Sequence, residues 1–330
     1  ITNKDIYDKI KKKFTKKKII ISNTFNELIL SKKNDITISA IPGIVGLEPT
    51  IQMVKSSKKI LIANKESIIC GWHLIKKTAL KYNTKIIPID SEHFSILKLL
   101  ENHSLKEIEK IYITASGGPF LNYKKNQLKN IKIKDALNHP KWKMGKKITI
   151  DSSTLMNKIL ELIEAQKIFN IPNKKLDILI HPNSLVHAII EMKNGLIKFL
   201  YHDTTMIIPL ANAIFDGKIN INDFFKKKKK IKVIEDLYFK KVDSNIFPVI
   251  KLKDRLDEHP STPIIINAAN EVLVDQFLKK KIPFLSIYKI IMNILNDRNY
   301  KKYAIKTPIN INQILTIDNW AKNTTKKYVK

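Results

Sequence analysis

Lys59-Ile60-Leu61-Ile62-Ala63-Asn64-Lys65-Glu66-Ser67 passes without a break from a run of aliphatic residues into a segment that opens as a helix. A short apolar run followed at once by a helix start reads as a strand feeding a crossover helix. Similar signals lie on either side. Lys18-Ile19-Ile20-Ile21-Ser22 and Asp35-Ile36-Thr37-Ile38-Ser39-Ala40 read as strands, as does Thr84-Lys85-Ile86-Ile87-Pro88-Ile89. Lys110-Ile111-Tyr112-Ile113-Thr114 is another, entering Ala115-Ser116-Gly117-Gly118-Pro119-Phe120, where glycines let the backbone approach a bound group. Alternating strand and helix signals predict α/β organisation with parallel strands.

The strand at 84–89 ends on Asp90-Ser91-Glu92-His93. Read as a continuation of that strand's edge, Asp90 and Glu92 stand two residues apart on one side and can face one ion. Farther on, Thr149-Ile150-Asp151 reads as the end of a strand with Ser152 as a helix N-cap. Leu155, Ile159, Leu162, Ile163 and Ile168 mark the apolar face of the helix that follows. Ser153, Asn157, Lys158 and Glu161 fall on it at three- and four-residue spacings. Three carboxylates, Asp90, Glu92 and Glu161, offer the oxygen donors that Mg²⁺ and Mn²⁺ favour, and Ser, Asn and Lys donors nearby suit a phosphate. The plainer reading makes Asp90 and Glu92 solvated loop acids and pairs Glu161 with Lys158. From spacing alone the two readings are balanced.

Composition bounds the function. A chain of 330 residues with 44% hydrophobic content has room for two or three packed domains. Its net charge of +30 attracts phosphorylated or carboxylated substrates and equally holds RNA nonspecifically, so charge does not choose between them. Cys70 is the single cysteine, which excludes an intrachain disulfide framework and favours a reducing compartment. No stretch is long and apolar enough to span a membrane, so no membrane partner is expected. From about 216 to 249 the pattern weakens and includes the run Lys226 to Lys230, read as a linker with a solvated surface. Helical periodicity returns at 265–278, 285–295 and 311–328, a small helical bundle.

Several ordered motifs now converge. Ala63-Asn64-Lys65-Glu66-Ser67, Asp90-Ser91-Glu92-His93, Ser116-Gly117-Gly118-Pro119-Phe120, His139-Pro140-Lys141-Trp142-Lys143-Met144-Gly145 and Asn157-Lys158 with Glu161 occur in the order of one enzyme family. Leu179-Ile180-His181-Pro182-Asn183-Ser184 with His187, and Ile266-Asn267-Ala268-Ala269-Asn270-Glu271, extend the match over essentially the whole chain. The sequence resembles 1-deoxy-D-xylulose 5-phosphate reductoisomerase. The resemblance implies a Rossmann-like NADPH-binding domain at 1–89, an α/β catalytic and metal-binding domain at 90–215, the linker at 216–249 and a helical domain at 250–330.

It further implies an NADPH-dependent enzyme of the non-mevalonate isoprenoid pathway that rearranges and reduces its substrate to 2-C-methyl-D-erythritol 4-phosphate. Asp90, Glu92 and Glu161 would hold Mn²⁺ or Mg²⁺, with Co²⁺ as a substitute. Ser116, Ser152, Asn157 and Lys158 would hold the substrate phosphate, and Lys65, Ser91 and His139 the rest of the substrate. Asn64, Glu66 and Gly145 match positions that contact NADPH. Trp142 would lie on a mobile flap, with Met144 beside the nicotinamide. Lys65, Asp90, Glu92 and Glu161 are the expected catalytic set. A homodimer is expected, in a bacterial cytoplasm or alternatively a plastid stroma. His93, His181 and His187 read as structural hydrogen-bonders as readily as acid–base groups.

Departures from the family pattern set further expectations. Members begin with a GxTGxIG turn whose amides bind the cofactor pyrophosphate, and no such motif occurs here, so the nucleotide-binding domain is expected to be N-terminally incomplete. Ile159 stands where the family usually has Gly, and Thr204-Thr205 precede Met206 where Pro-Asp is usual. A decayed pseudoenzyme binding phosphate ligands or RNA nonspecifically is the alternative function. No specific nucleic-acid partner is expected.

Overall fold

The computed structural model describes residues 4–15, 20–22, 33–225 and 236–329. The lysine run at 226–230 and part of the first expected strand, 18–19, lie outside the described residues. Helix α1 (Lys4–Lys13) precedes a parallel sheet of order β1-β2-β3, formed by Asn34–Ser39, Ser57–Ile62 and Lys85–Pro88. Between its strands run α2 (Leu47–Lys55) and α3 (Lys65–Tyr82). Ile60, Leu61 and Ile62 are almost wholly buried, as an apolar run covered on both faces by helices must be. The strand and helix starts at 35–40, 59–63 and 64–67 all form as expected.

A second sheet, of order β7-β6-β4-β5-β8 among the described residues, is mixed rather than parallel. Its strands are β4 (Ile108–Ala115), β5 (Leu176–Ile180), β6 (Val186–Met192), β7 (Ile197–Tyr201) and β8 (Lys240–Lys241). β4 and β5 run parallel, but β6 pairs antiparallel with β4 and β7 with β6. Only residues 181–185 separate β5 from β6, too few for the crossover that a parallel return requires. Part of the stretch read as a linker is therefore an edge strand, since β8 pairs with β5.

Helix α4 (Ser91–Leu99) follows β3; α5 (Lys146–Thr154) and α6 (Met156–Phe169) lie between β4 and β5; α7 (Ile207–Phe215) follows β7. The sequence reading fails at α5. Residues 149–151 are helical, and Ser152 lies in that helix's last turn rather than capping a new one. Local β propensity of Ile148, Thr149 and Ile150 is overridden by tertiary context. Ile150 is fully buried, and the Thr149 hydroxyl donates back to the Gly145 carbonyl at 3.0 Å.

Three longer helices complete the described chain, α8 (Thr262–Leu278), α9 (Ser286–Leu295) and α10 (Ile311–Val329). α8 is buried along most of its length, with Ile265, Ile266, Ala268, Ala269 and Leu273 at 0% exposure. Each such Ile or Leu contributes about 1.5–3 kcal/mol by leaving water. One continuous apolar cluster links α3, β4, α6 and the C-terminal helices, and Ile159 is fully buried within it.

Candidate functional site

The carboxyl ends of β2, β3 and β4 converge on one cavity of about 290 Å³, reached by Ala63, Asp90 and Ser116 respectively. Asp90 is the N-cap of α4, accepting from the Glu92 backbone N–H at 3.3 Å. Glu92 thus sits in the first turn of a helix and does not continue the strand edge, which is a correction to the geometry expected above. The conclusion survives, because the cap turns both carboxylates toward α6. Oxygens of Asp90, Glu92 and Glu161 all lie within 4.8 Å of one another.

Two ammonium groups hold these carboxylates together. Lys65 donates to Asn157 Oδ1 at 2.8 Å and lies 3.5 Å from Asp90 and 3.6 Å from Glu161. Lys158 bonds Glu92 and, at 2.6 Å, Glu161; Asn157 also donates to Glu161. Burial opposes the charge on both lysines, yet the surrounding carboxylates outweigh it and hold both pKa values above the ordinary lysine value. Glu92 is pushed up by burial and by the Glu161 charge. Asp90 is held well below the ordinary range, because Lys65 and His93 outweigh its burial. The solvated-acid part of the plainer reading fails, because Glu92 is buried and half-buried Asp90 is paired with Lys65, while the Glu161–Lys158 pair it expected does form.

A fourth carboxylate was missed from the sequence. Glu164 is 1% exposed, lies 3.9 Å from both Lys65 Nζ and His93 Nδ1, and is pushed up to about 8 by burial. Its position three residues beyond Glu161, inside the apolar run Leu162-Ile163-Glu164-Ala165, is the signal that marks it. His93 takes the structural role among its two readings. Its Nε2 meets the Glu161 carbonyl at 2.9 Å and its Nδ1 lies 3.4 Å from Asp90.

At the other side of the cavity are the hydroxyl and amide donors. The Ser116 hydroxyl accepts from Gly118 N at 3.1 Å and meets His139 Nε2 at 3.2 Å. His139 Nδ1 accepts from the backbone N–H groups of Lys141 and Trp142, so Nε2 carries the ring proton in the neutral imidazole. Burial and the Lys158 charge lower this histidine to about 4, keeping it neutral. Gly118 adopts φ +59°, and a Cβ there would stand 3.2 Å from the Ser152 carbonyl oxygen. Leu155, with φ +69°, joins α5 directly to α6 and puts Ser152, Asn157 and Lys158 around the same space. A left-handed non-glycine residue costs on the order of 1 kcal/mol or more and persists only where its surroundings dictate it.

Lys65, Ser91, Ser116, His139, Trp142, Met144, Ser152, Asn157 and Lys158 all line the cavity with the three acids. Asn64, Glu66 and Gly145 do not. Asn64 caps α3 through Ser67 N at 2.6 Å and donates to the carbonyls of Ile41 and Gly43, at 3.0 Å for the latter. Glu66 pairs with Lys147 at 3.3 Å. Ser184, His187 and Met206 are further lining residues. His187 stacks on His202, ring centroids 3.8 Å apart, and meets the Trp142 ring edge-on at 6.5 Å. The Thr205 hydroxyl accepts from Ile207 N at 3.2 Å just before α7, and Met206 lines the cavity despite the departure at 204–205. His181 is not among the lining residues and bonds the Tyr238 carbonyl at 3.0 Å.

The donor set fits a hard divalent cation: three carboxylates, all oxygen ligands, with room left for a chelating substrate. Beside them the cavity has an apolar side. Met144 and Trp142 form a half-buried wall, and a Cβ built on the neighbouring Gly145 meets nothing within 4 Å.

Comparison with known proteins agrees. A family model described as 1-deoxy-D-xylulose 5-phosphate reductoisomerase matches residues 1–71, one for the C-terminal domain of that enzyme matches 86–169, and a further DXP reductoisomerase C-terminal domain model matches 203–324. The 1-deoxy-D-xylulose 5-phosphate reductoisomerase of Pelagibacter ubique is 48% identical over 309 residues, covering 92% of this chain and 79% of that protein. The protein of the same name from Clostridium acetobutylicum is 40% identical over 293 residues, covering 87% and 74%. A crystal structure of DOX-P reductoisomerase in complex with NADPH, fosmidomycin and magnesium superposes with a TM-score of 0.86 at 31% identity, covering 99% of this chain and 85% of the other. The enzyme from Zymomonas mobilis in complex with NADPH gives 0.81 at 29% identity, covering 100% and 85%.

Proposed function

The chain belongs to the 1-deoxy-D-xylulose 5-phosphate reductoisomerase family, and on that footing we propose how its own residues divide the work. It catalyses the NADPH-dependent rearrangement and reduction of 1-deoxy-D-xylulose 5-phosphate to 2-C-methyl-D-erythritol 4-phosphate in the non-mevalonate isoprenoid pathway. The observation that carries the assignment of roles is the meeting of three carboxylate oxygens within 4.8 Å, in one cavity with a Ser, His, Asn and Lys cluster.

Asp90, Glu92 and Glu161 would hold Mg²⁺ or Mn²⁺, with Co²⁺ a workable substitute. When bound, such a cation supplies Lewis-acid polarisation of the substrate's carbonyl and hydroxyl oxygens. Ser116, Ser152, Asn157 and Lys158 would bind the phosphate, a dianion suited to charge-assisted hydrogen bonds. Lys65, Ser91 and His139 would orient the carbon skeleton. Neutral His139 offers Nε2–H as a donor, while Lys65, buried and charged, favours negative charge developing on substrate oxygen. NADPH supplies hydride; Asn64, Glu66, Met144 and Gly145 would hold it, and Trp142 would close over the substrate and exclude water. Met144 and Trp142, half-buried in the cavity wall beside the carboxylates, support the cofactor reading most directly.

We also propose a homodimer and a bacterial cytoplasmic location, with a plastid stroma as the alternative; the bacterial sources of the relatives above support the former location. Light scattering of the purified protein tests the dimer. The convergence of an intact donor set speaks against a decayed phosphate- or RNA-binding protein. NADPH consumption should require both 1-deoxy-D-xylulose 5-phosphate and a divalent cation. Turnover in Glu161→Gln equal to wild type would overturn the metal assignment.

A further inference from the structure

The segment Ile266-Asn267-Ala268-Ala269-Asn270-Glu271, on α8, reaches the site although none of it lines the cavity. Asn270 is fully buried, and its Nδ2 donates to Asp151 Oδ1 at 2.7 Å across 119 positions of sequence. The other Asp151 oxygen accepts from Lys147 Nζ at 3.0 Å, and Lys147 lies 3.3 Å from Glu66 on α3. A chain of polar contacts thus runs from the C-terminal helices through α5 to the first turn of α3.

Asp151 is 1% exposed and immediately precedes Ser152. Holding its carboxylate from both sides fixes the rotation of the last turn of α5. That turn is pressed on its other side by the Gly118 backbone, where a Cβ would stand 3.2 Å from the Ser152 carbonyl oxygen and 3.3 Å from Ser153 Cα. One residue later the left-handed Leu155 hands the same orientation to Asn157 and Lys158.

Asn270 Oδ1 is buried with no hydrogen-bond partner among the described residues, so the carboxamide is committed through Nδ2 to Asp151. An apolar residue there would leave a buried carboxylate oxygen short of a donor, a cost of about 1–3 kcal/mol.

We infer that Asn270 is a positioning residue for the substrate phosphate, acting through Asp151 on the Ser152 hydroxyl and the α5–α6 turn. The inference rests on the phosphate-binding role proposed for Ser152, Asn157 and Lys158. Lys147 extends the same lock to Glu66.

Calorimetric titration of the full chain with Mg²⁺ present tests it, using 1-deoxy-D-xylulose 5-phosphate and 1-deoxy-D-xylulose, which lacks the phosphate. Wild type should prefer the phosphorylated ligand. Asn270→Ala should weaken that ligand at least tenfold while changing 1-deoxy-D-xylulose less than twofold. Equal weakening of both would mean general loosening and would overturn the inference, as would no weakening. Where Asn270→Ala fails to fold, Asn270→Ser is held to the same split. The exchange Asn270→Asp with Asp151→Asn, which swaps acceptor and donor, should recover most of the lost affinity, and failure to do so also counts against it. A wild type that shows no preference for the phosphorylated ligand overturns the functional reading and this inference together. Preference retained in Asn270→Ala overturns this inference alone.

Discussion

Lys65 and Asn157 meet at 2.8 Å, the ammonium on α3 donating to the carboxamide oxygen on α6. The contact joins the helix that follows β2 to the helix carrying Glu161, and it places a charge among Asp90, Glu161 and Glu164. Replacing Lys65 by Met leaves those buried acids facing one another. Loss of one partner of a buried pair costs about 3–5 kcal/mol, so K65M should melt well below wild type. Mg²⁺ should recover part of that loss, because it supplies positive charge at the same place. Calorimetry with and without Mg²⁺ checks both statements; an unchanged melting temperature would contradict them.

Glu161→Gln keeps the shape and removes one charge from the donor set. Turnover is expected to fall by about 10²-fold or more, with a raised Mg²⁺ requirement. The Mg²⁺ dependence of NADPH consumption measures this directly.

Proton and metal compete for Glu92. Burial and Glu161 raise its pKa, and only the ionised carboxylate ligates. Mg²⁺ affinity should therefore fall as pH drops from neutral toward the ordinary glutamate value of about 4.3, starting well above where an exposed carboxylate would begin to lose it. Titrations at a series of pH values, with Glu92→Gln as control, show whether the dependence resides there.

Gly118→Ala adds a Cβ at φ +59°, close against the Ser152 carbonyl. Backbone strain alone costs about 1–2 kcal/mol, and relief requires the α5–α6 turn to move. Weaker binding of phosphorylated substrate than of its unphosphorylated analogue is expected, measured by calorimetry.

Trp142→Ala should raise KM more than it lowers kcat, since the ring lines the cavity beside His187 and supplies none of the three carboxylate donors. Steady-state kinetics on W142A and W142F separate the lost cover from the lost indole.

Much of this was legible in the chain. The parallel strands β1 to β3 follow from the apolar runs at 35–40, 59–63 and 84–89, although 20–22 form no strand, and Asp90, Glu92, Lys158 and Glu161 do come together, though by a helix cap rather than a strand edge. What failed has physical causes. Residues 149–151 look like a strand because β-branched residues dominate them, but a buried Ile150 and the Thr149 hydroxyl bond to Gly145 make them helical. Glu164 escaped notice although it stands inside the apolar run Leu162-Ile163-Glu164-Ala165, a local sign of burial. Asn270 was visible only as part of a motif, since its partner lies 119 residues away. Asn64, proposed for the cofactor, also caps α3 and ties a loop, bonds that its place in a motif does not announce.

The single residue Leu155 between α5 and α6 makes chain length itself a coded quantity. Each helical residue advances the chain by about 100°, so inserting or deleting one between Ser152 and Asn157 would swing the hydroxyl out of phase with the amide and ammonium beyond it. No substitution elsewhere restores that phase. Over evolutionary time this junction should accept changes of residue type far more readily than changes of count, while the stretch after α7 should drift in length.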